Sequence, residues 1–529
     1  MKFKDLTEKD INVARTIYLN KELSWDKRMT LLMDLFGKSE RTVRKWCSEK
    51  LGFKEKVEVE PEQYESAKNR VANKDKKRFI ITWGQNNTPV HKGFYKNMES
   101  YADFIGADIH IILGRYRNPT SVFNDSEEDF WVPEIEKYMD AGRHNVHKYL
   151  SIMSDIKIQP TAINPMSGMR GLSGGNSCVF GAPKVQMEMI PVLEGNKPKM
   201  MLTTGSVTKM NYTDSKAGKK GEFHHTYGFV IVEIADDETF YIRQVTADDK
   251  TGDFTDLCYN VKGGNVNKID SIQAIVLGDL HYGHHDQNVL DSTHRFLEKI
   301  KPKHVVLHDV FDGDSISHHQ MKDPFIQYSK ELDGTNSLKS EIDNMLDGLE
   351  SFSKYKNVVI VRSNHDDFLD RWLKNEDWKK QPTQKNSLVY MEYSAMLLKQ
   401  YGEKDVKGVI PEIINNRFPK FITLGRNASY IVKKWELGQH GDVGSNGSRG
   451  SLLQFRNLNT KIIVGHYHSP GRKDGALAVG TSTKLRVGYN IGPSSWLQSH
   501  VLIHEDGKAQ HINFIEDANG NSRFTTFEI

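Results

Sequence analysis

Five short apolar runs in the second half of this chain each end in side chains that bind metals. "IQAIVLGDLH" ends in Asp279 and His281, "KHVVLHDVFD" in Asp309 and Asp312, and "NVVIVRSNHDD" in Asn364, His365 and Asp366. "VKKWELGQHGD" ends in His440, and "KIIVGHYH" in His466 and His468. Runs of Ile, Val and Leu bounded by polar turn residues read as buried strands. In an open α/β sheet the carboxyl ends of the strands form one edge, and ligands bind there. Strand ends that each carry Asp, Asn or His therefore predict one shared site. Oxygen and imidazole donors without thiolate suit manganese, iron, zinc or a similar divalent ion. A lone DxH or HxH is usually incidental; the ordered series carries the weight.

At 529 residues the chain is long enough for two or three domains. With 37% hydrophobic and 27% charged residues it can bury a sizeable core. The formal charge is only +3, so any basic surface for nucleic acid has to be local. Its three cysteines, Cys47, Cys178 and Cys258, are far apart. They form neither a disulfide framework nor a CxxC zinc pattern, and a reducing cytoplasm is expected. The start, "MKFKDLTEKD", lacks the apolar core of a signal peptide. No run approaches the ~18 apolar residues of a membrane helix, so no membrane partner is expected.

Residues 1–54 read as a helix-turn-helix. Leu31, Leu32, Leu35 and Phe36 give a helical stripe, Gly37 can end that helix, and Ser39 can cap the next, whose inner face carries Val43 and Trp46. The second helix would offer Arg41, Arg44, Lys45 and Lys50 to phosphates or a major groove; the plainer alternative is a helical hairpin that packs or binds protein. Residues 55–77 form a charged linker, helical or flexible. From 78 to 268 an α/β domain is expected, with a βαβ unit over "RFIITW", "KGFYKNMESYADFIG" and "ADIHIIL", and a hairpin joining "YGFVIVEI" to "TFYIRQV". His224 and His225 lie in it, but nothing nearby in sequence completes a site, and no chemistry is assigned to this domain.

The motif series resembles that of the calcineurin-like metallophosphoesterases, whose signature runs DxH, GDxxD, GNH[DE], a lone His and GHxH. It stands here as "GDLH", "HDVFD", "SNHD", "GQH" and "GHYH". Two positions depart: His308 and Ser363 replace glycines beside ligands. The resemblance implies an α/β fold: a β-sandwich flanked by helices over 269–529, behind the α/β domain and the helix-turn-helix. It also implies two divalent ions, expected to be Mn2+, with Mg2+, Fe2+ or Zn2+ as alternatives. Asp279, His281 and His468 would hold one ion, Asn364, His440 and His466 the other, and Asp309 would bridge them. Such a pair, about 3.5–4 Å apart, activates water and clamps phosphate oxygens. His365 would protonate the leaving oxygen, and Asp312 would orient His365. His284, His285, His318 and His319 match no position of the signature and are expected to be surface or supporting residues.

Within that superfamily the short motifs look most like the Mre11/SbcD-like nuclease branch. "HDVFDGD" lacks the following Arg of the Ser/Thr phosphatases, and Phe311 and Asp312 stand where purple acid phosphatases place a tyrosine ligand. The whole arrangement, with stretches such as "WGQNNTPVHKGFYKNM" and "GRYRNPTS", resembles the DNA-degrading enzymes that large lytic tailed phages make early in infection. That implies a DNase acting on DNA in the host cytoplasm. Insertions at about 313–356 and 367–427 follow the motifs and would cap the metal face; Trp372, Trp378, Lys379, Lys380 and Lys385 offer aromatic and basic groups to a strand, or the tryptophans anchor helices in the core. A phosphatase for small or protein substrates, and a DNA-binding regulator with an inactive core, are the competing readings. Self-association is left open.

Overall fold

The computed structural model describes residues 2–20, 22–53, 63–118, 129–380, 383–403, 406–488 and 490–527. It is a mixed α/β molecule of several sheets with helices against them. No helix among the described residues is long and apolar enough to cross a membrane.

At the N-terminus, helices Glu8–Leu19, Trp25–Phe36 and Glu40–Lys45 enclose a small core. Ala14, Tyr18, Leu32, Phe36, Val43, Trp46, Cys47 and Phe53 fill it. Thr7 caps the first helix in a reciprocal box with Asp10. Gly37, at φ 58°, closes the second in the left-handed conformation that glycine adopts at no steric cost. Of the expected stripe, Leu31 faces outward, because a helix of this length turns only Leu32 and Phe36 fully to its two neighbours. Of the expected linker, 55–62 lie outside the described residues, and Gln63–Lys68 is helical. Ala67 is buried there and its carbonyl accepts from Ala141 N.

Strand Arg78–Gln85 pairs in parallel with Asp108–Gly114 and antiparallel with Gly228–Ile234, which forms a hairpin with Phe240–Thr246. The crossover helix Lys92–Ile105 covers this five-stranded sheet with Phe94, Met98, Tyr101, Ala102 and Ile105, spaced three and four apart as one apolar face requires.

A six-stranded sheet runs in the order Ile422–Thr423, Val358–Ile360, His304–Leu307, Ala274–Val276, Ser499–Ile503, Ala509–Asn513. The first four strands are parallel. Both faces are buried, so the strands read as unbroken apolar runs rather than alternating ones. Ile275, Val305, Leu307, Val358 and Ile360 point to the helices Gln287–Ile300, Leu338–Glu350, Asp366–Asn375 and Ser387–Glu403. Ala274, Val276, Val306 and Val359 point the other way, against Trp435, Leu437, Ile463, Leu477 and Val479 of a ten-stranded sheet.

That ten-stranded sheet joins strands from both halves of the chain. Gly471–Lys473 pairs antiparallel with Gln186–Ile190, so the strands at 143–203 continue a sheet that also holds Lys461–Val464. The five-stranded sheet packs on it through Ile81, Trp83, Ile112 and Val230 against Ile152, Val179, Met187 and Leu202. The five- and six-stranded sheets adjoin at their edges, where Asn513 Nδ2 donates to Ile242 O at 3.3 Å. Hydrogen-bonded strands therefore run across residue 268, the boundary expected between the second and third domains.

Candidate metal centre

Sheet register brings the motifs to one edge. Val276 is opposite Val306, and Leu307 is opposite Ile360, so these parallel strands end level with one another. Asp279, Asp309 and Asn364 follow within a few residues. On the facing sheet, Trp435–Glu436 and Lys461–Val464 are also parallel and lead into His440, His466 and His468. His281, Asp309, His466 and His468 all have positive φ, at 42°, 45°, 74° and 55°. For residues with a Cβ this costs on the order of 1–2 kcal/mol each, and such strain gathers where surrounding structure needs a side chain aimed sharply. The turns are pinned by His281 N donating to Asp309 O at 2.7 Å and Leu280 N to His308 O at 3.1 Å.

Asp309 sits at the centre. His281 Nε2 is 3.4 Å from its Oδ2 and His440 Nε2 is 3.1 Å from the same oxygen. His468 Nε2 lies 3.2 Å from Asp279 Oδ2 and 3.1 Å from His281 Nε2. Asp279, His281, Asp309 and His468 thus form one buried group whose ligand atoms lie within 4.8 Å of one another. Asp279, His308 and His440 form an adjoining one. Asp279 Oδ1, Asp309 Oδ1 and Asn364 Oδ1 are buried without a hydrogen-bond partner among the described residues. Buried acceptors left unpaired are costly, and a cation would satisfy them. His466 packs edge-on to His440 with ring centres 5.3 Å apart.

Electrostatics agree with that fit. Burial pushes the Asp309 carboxyl up, but His440, His365 and His281 around it reverse this and hold it well below the ordinary range. Burial also raises Asp279, and His468 more than offsets it. Burial lowers His440, yet Asp309 and Asp279 bring it to about 9. The positive charge facing Asp309 then comes from protons on histidines, which a metal must displace, so affinity would weaken as pH falls. These buried His/Asp groups can hold a metal ion.

Asp312 does something the sequence does not announce. Its carboxylate Oδ1 is 2.8 Å from His281 Nδ1, and its backbone carbonyl accepts from His365 Nδ1 at 2.5 Å. Asp312 is expected to orient His365, and its carbonyl does contact that ring, while its carboxylate lies against the ring of His281, a candidate metal-holding residue. Burial pushes the Asp312 carboxyl up, but His281, with His365 and His284 behind it, brings it down to about 2. His365 packs between His281, edge to face, and the tilted ring of Phe368, with ring centres 4.6 Å away on each side. Burial lowers its pKa.

His308 was not foreseen as part of the site. It is fully buried, with Nδ1 3.4 Å from His440 Nδ1, and burial followed by His440 brings it to about 4. Its one sequence signal is that it stands where the resemblance has glycine. Other supports have no short motif at all: Trp496 packs on His468 at 4.1 Å, and His500 Nδ1 accepts from Gly278 N at 3.0 Å.

The remaining candidates lie apart from the carboxylates or at the rim. His284 Nε2 is 3.7 Å from Asp312 Oδ2. His318 Nε2 meets Arg371 Nη1 at 3.0 Å and packs against Phe368. His285 is half-buried beside Tyr282. Trp372 is buried in the core under the cap, whereas Lys379, Lys380 and Lys385 are exposed. His225 is buried, bonded to Tyr212 Oη and Thr208 O, and His224 pairs with Asp474. Arg41 and Arg44 line a cleft of about 960 Å³ with Lys209 and Lys219; Arg41 donates to Asp214 O at 3.4 Å and Arg44 pairs with Glu40 at 2.6 Å, while Lys45 is exposed. A second His/Asp group, His110, Asp140 and His144, is a self-satisfied chain: His110 bridges Asp108 and Asp140, and His144 bonds Asp140 at 2.7 Å.

No protein-family model matches the chain, and no solved structure matches it. Protein A1 of Escherichia phage T5 is 30% identical to it over 480 residues, which cover 83% of this chain and 82% of that protein. The match covers most of both proteins, and the chain therefore belongs to the family of this phage protein.

Proposed function

We propose that this protein is a two-metal phosphodiesterase that cuts DNA. The observation that carries the reading is Asp309, buried between His281 and His440, with Asp279 and His468 grouped beside them. Asp279, His281 and His468 would hold one cation, Asn364, His440 and His466 a second, and Asp309 both. Divalent ions held there would supply an activated water and neutralise phosphate charge.

The chain's own groups do the rest. The Asp312 carboxylate fixes the His281 ring, turning Nε2 toward Asp309; such partners of ligand histidines set tautomer and orientation. The Asp312 carbonyl can only accept, so His365 Nδ1 carries a hydrogen and Nε2 is the nitrogen turned free; it would pass a proton to the departing oxygen from the imidazolium form, which Asp309 and Asp312 favour against the effect of burial. Phe368 and His281 confine that ring.

DNA is favoured as substrate by the likeness of the motifs to the nuclease branch. Membership in a phage family favours action in the cytoplasm of an infected bacterium. The test places plasmid DNA with Mn2+ beside chromogenic phosphomonoester and phosphodiester substrates. DNA and diester cleavage without monoester cleavage is expected. Monoester hydrolysis with intact plasmid would make the protein a phosphatase, and DNA binding with no hydrolysis of any substrate would make it a regulator.

A further inference from the structure

Two helices in the insertions carry large apolar side chains that are exposed among the described residues. On Pro324–Asp333, Phe325, Tyr328 and Leu332 lie along one exposed stripe; on Ser387–Glu403, Leu388, Met391 and Leu398 form another. Their exposures run from 48% at Met391 to 85% at Phe325. Beside the stripes, Lys385 pairs with Glu331 and Asn386 Nδ2 donates to Asn336 O. Large apolar side chains exposed in a row along a helix, rather than singly, point to an interaction surface.

The helix Ser387–Glu403 is apolar on both sides. Val389, Tyr393 and Leu397 are buried against the body, and Leu388, Met391, Ala395, Leu398 and Gly402 fall on the outer face. Their spacing is three, four, three, four, the repeat of a coiled-coil seam. Ala395 and Gly402 are small, and a side chain added at Gly402 would meet nothing within 4 Å, so another helix can approach closely.

We propose that this face binds a second copy of the chain, the two Ser387–Glu403 helices crossing antiparallel about a two-fold axis near residues 395–396. A two-fold contact is self-complementary by necessity. In this register Glu392 of each copy stands opposite Lys399 of the other, two opposite-charge pairs flanking the apolar seam. Lys399 is exposed and 3.9 Å from Glu403, within reach of such an exchange. Glu392 and Glu403 beside the stripe argue against a polyanion on this face. The proposal is independent of the catalytic reading.

Sedimentation velocity of the full chain at micromolar concentration tests it. Wild type should sediment at twice the chain mass, and Leu398→Glu at the chain mass with unchanged far-UV circular dichroism. Glu392→Lys should weaken the dimer, and adding Lys399→Glu should restore it. Because these charges are exposed, the rescue decides the matter even if Leu398→Glu misfolds. A monomeric wild type, a dimer indifferent to Leu398→Glu in a folded protein, or absence of charge rescue would each overturn the proposal. Loss of DNA binding with unchanged mass would overturn it too, assigning the face to nucleic acid.

Discussion

Asp312 makes two contacts, carboxylate to His281 at 2.8 Å and carbonyl to His365 at 2.5 Å, which in the proposed reaction would separate metal holding from proton delivery. His365→Asn should keep its metal and slow DNA hydrolysis by about 10²–10⁴-fold, the range for a lost general acid. A nitrophenyl diester, whose leaving group needs no proton, should lose much less. Asp312→Asn should behave differently: its carbonyl still holds His365, but His281 loses a charged partner, and metal affinity should fall about 10–100-fold. Metal content and both rates, measured for each variant, check this. Equal loss on the two substrates would remove His365 from the acid role, and full metal affinity in Asp312→Asn would remove the carboxylate from holding His281. At this scale Asp279, His281, Asp309 and His468 were legible because each follows an apolar strand. The division of labour within Asp312 was not, because it depends on which of two oxygens a turn presents.

Among elements, periodicity predicted well wherever an element buries one face. Lys92–Ile105 forms where the sequence expects a helix. It predicted less where pairing is long-range: nothing local in Gln186–Ile190 announces that it pairs with Gly471–Lys473. The N-terminal helices are locally self-consistent, but the orientation of Arg41 and Arg44 toward residues 209–222 follows from docking on the body, which a sequence does not reveal. If that unit contacts DNA, removing residues 1–53 should flatten the salt dependence of binding by ~0.9 in log–log slope per lost phosphate contact, with small-diester hydrolysis retained. An unchanged slope in a filter-binding or anisotropy titration would make the helices a protein contact instead.

Across the whole molecule, the packed sheets bury histidines that must stay neutral. Burial lowers His225 to about 4, His500 to about 3 and His511 to about 4 from the usual 6.5. Groups whose pKa falls on folding contribute stability that is present above the unfolded value and lost as pH falls toward the folded one. Each therefore contributes on the order of 2–3 kcal/mol at neutral pH that fades between 6.5 and 4. Glu341 and Asp366, both raised to about 7 chiefly by burial, act oppositely: their contribution is full in acid and lost as pH rises through 7. Urea midpoints against pH should decline on the acid side. The decline should be shallower in His511→Gln, whose amide can still donate to Ala478 O but cannot take up a proton. An equal slope in both proteins would contradict this account of acid sensitivity.

The most direct test of the central claim is equilibrium Mn2+ binding to the metal-stripped chain, followed by DNA cleavage in the same samples, for wild type and Asp309→Asn. The account predicts two ions per wild-type chain, cleavage that appears only as they bind, and loss of both tight binding and cleavage in Asp309→Asn, whose buried carboxylate faces His281 and His440. Cleavage of DNA by the stripped protein, or full activity in Asp309→Asn, would contradict it.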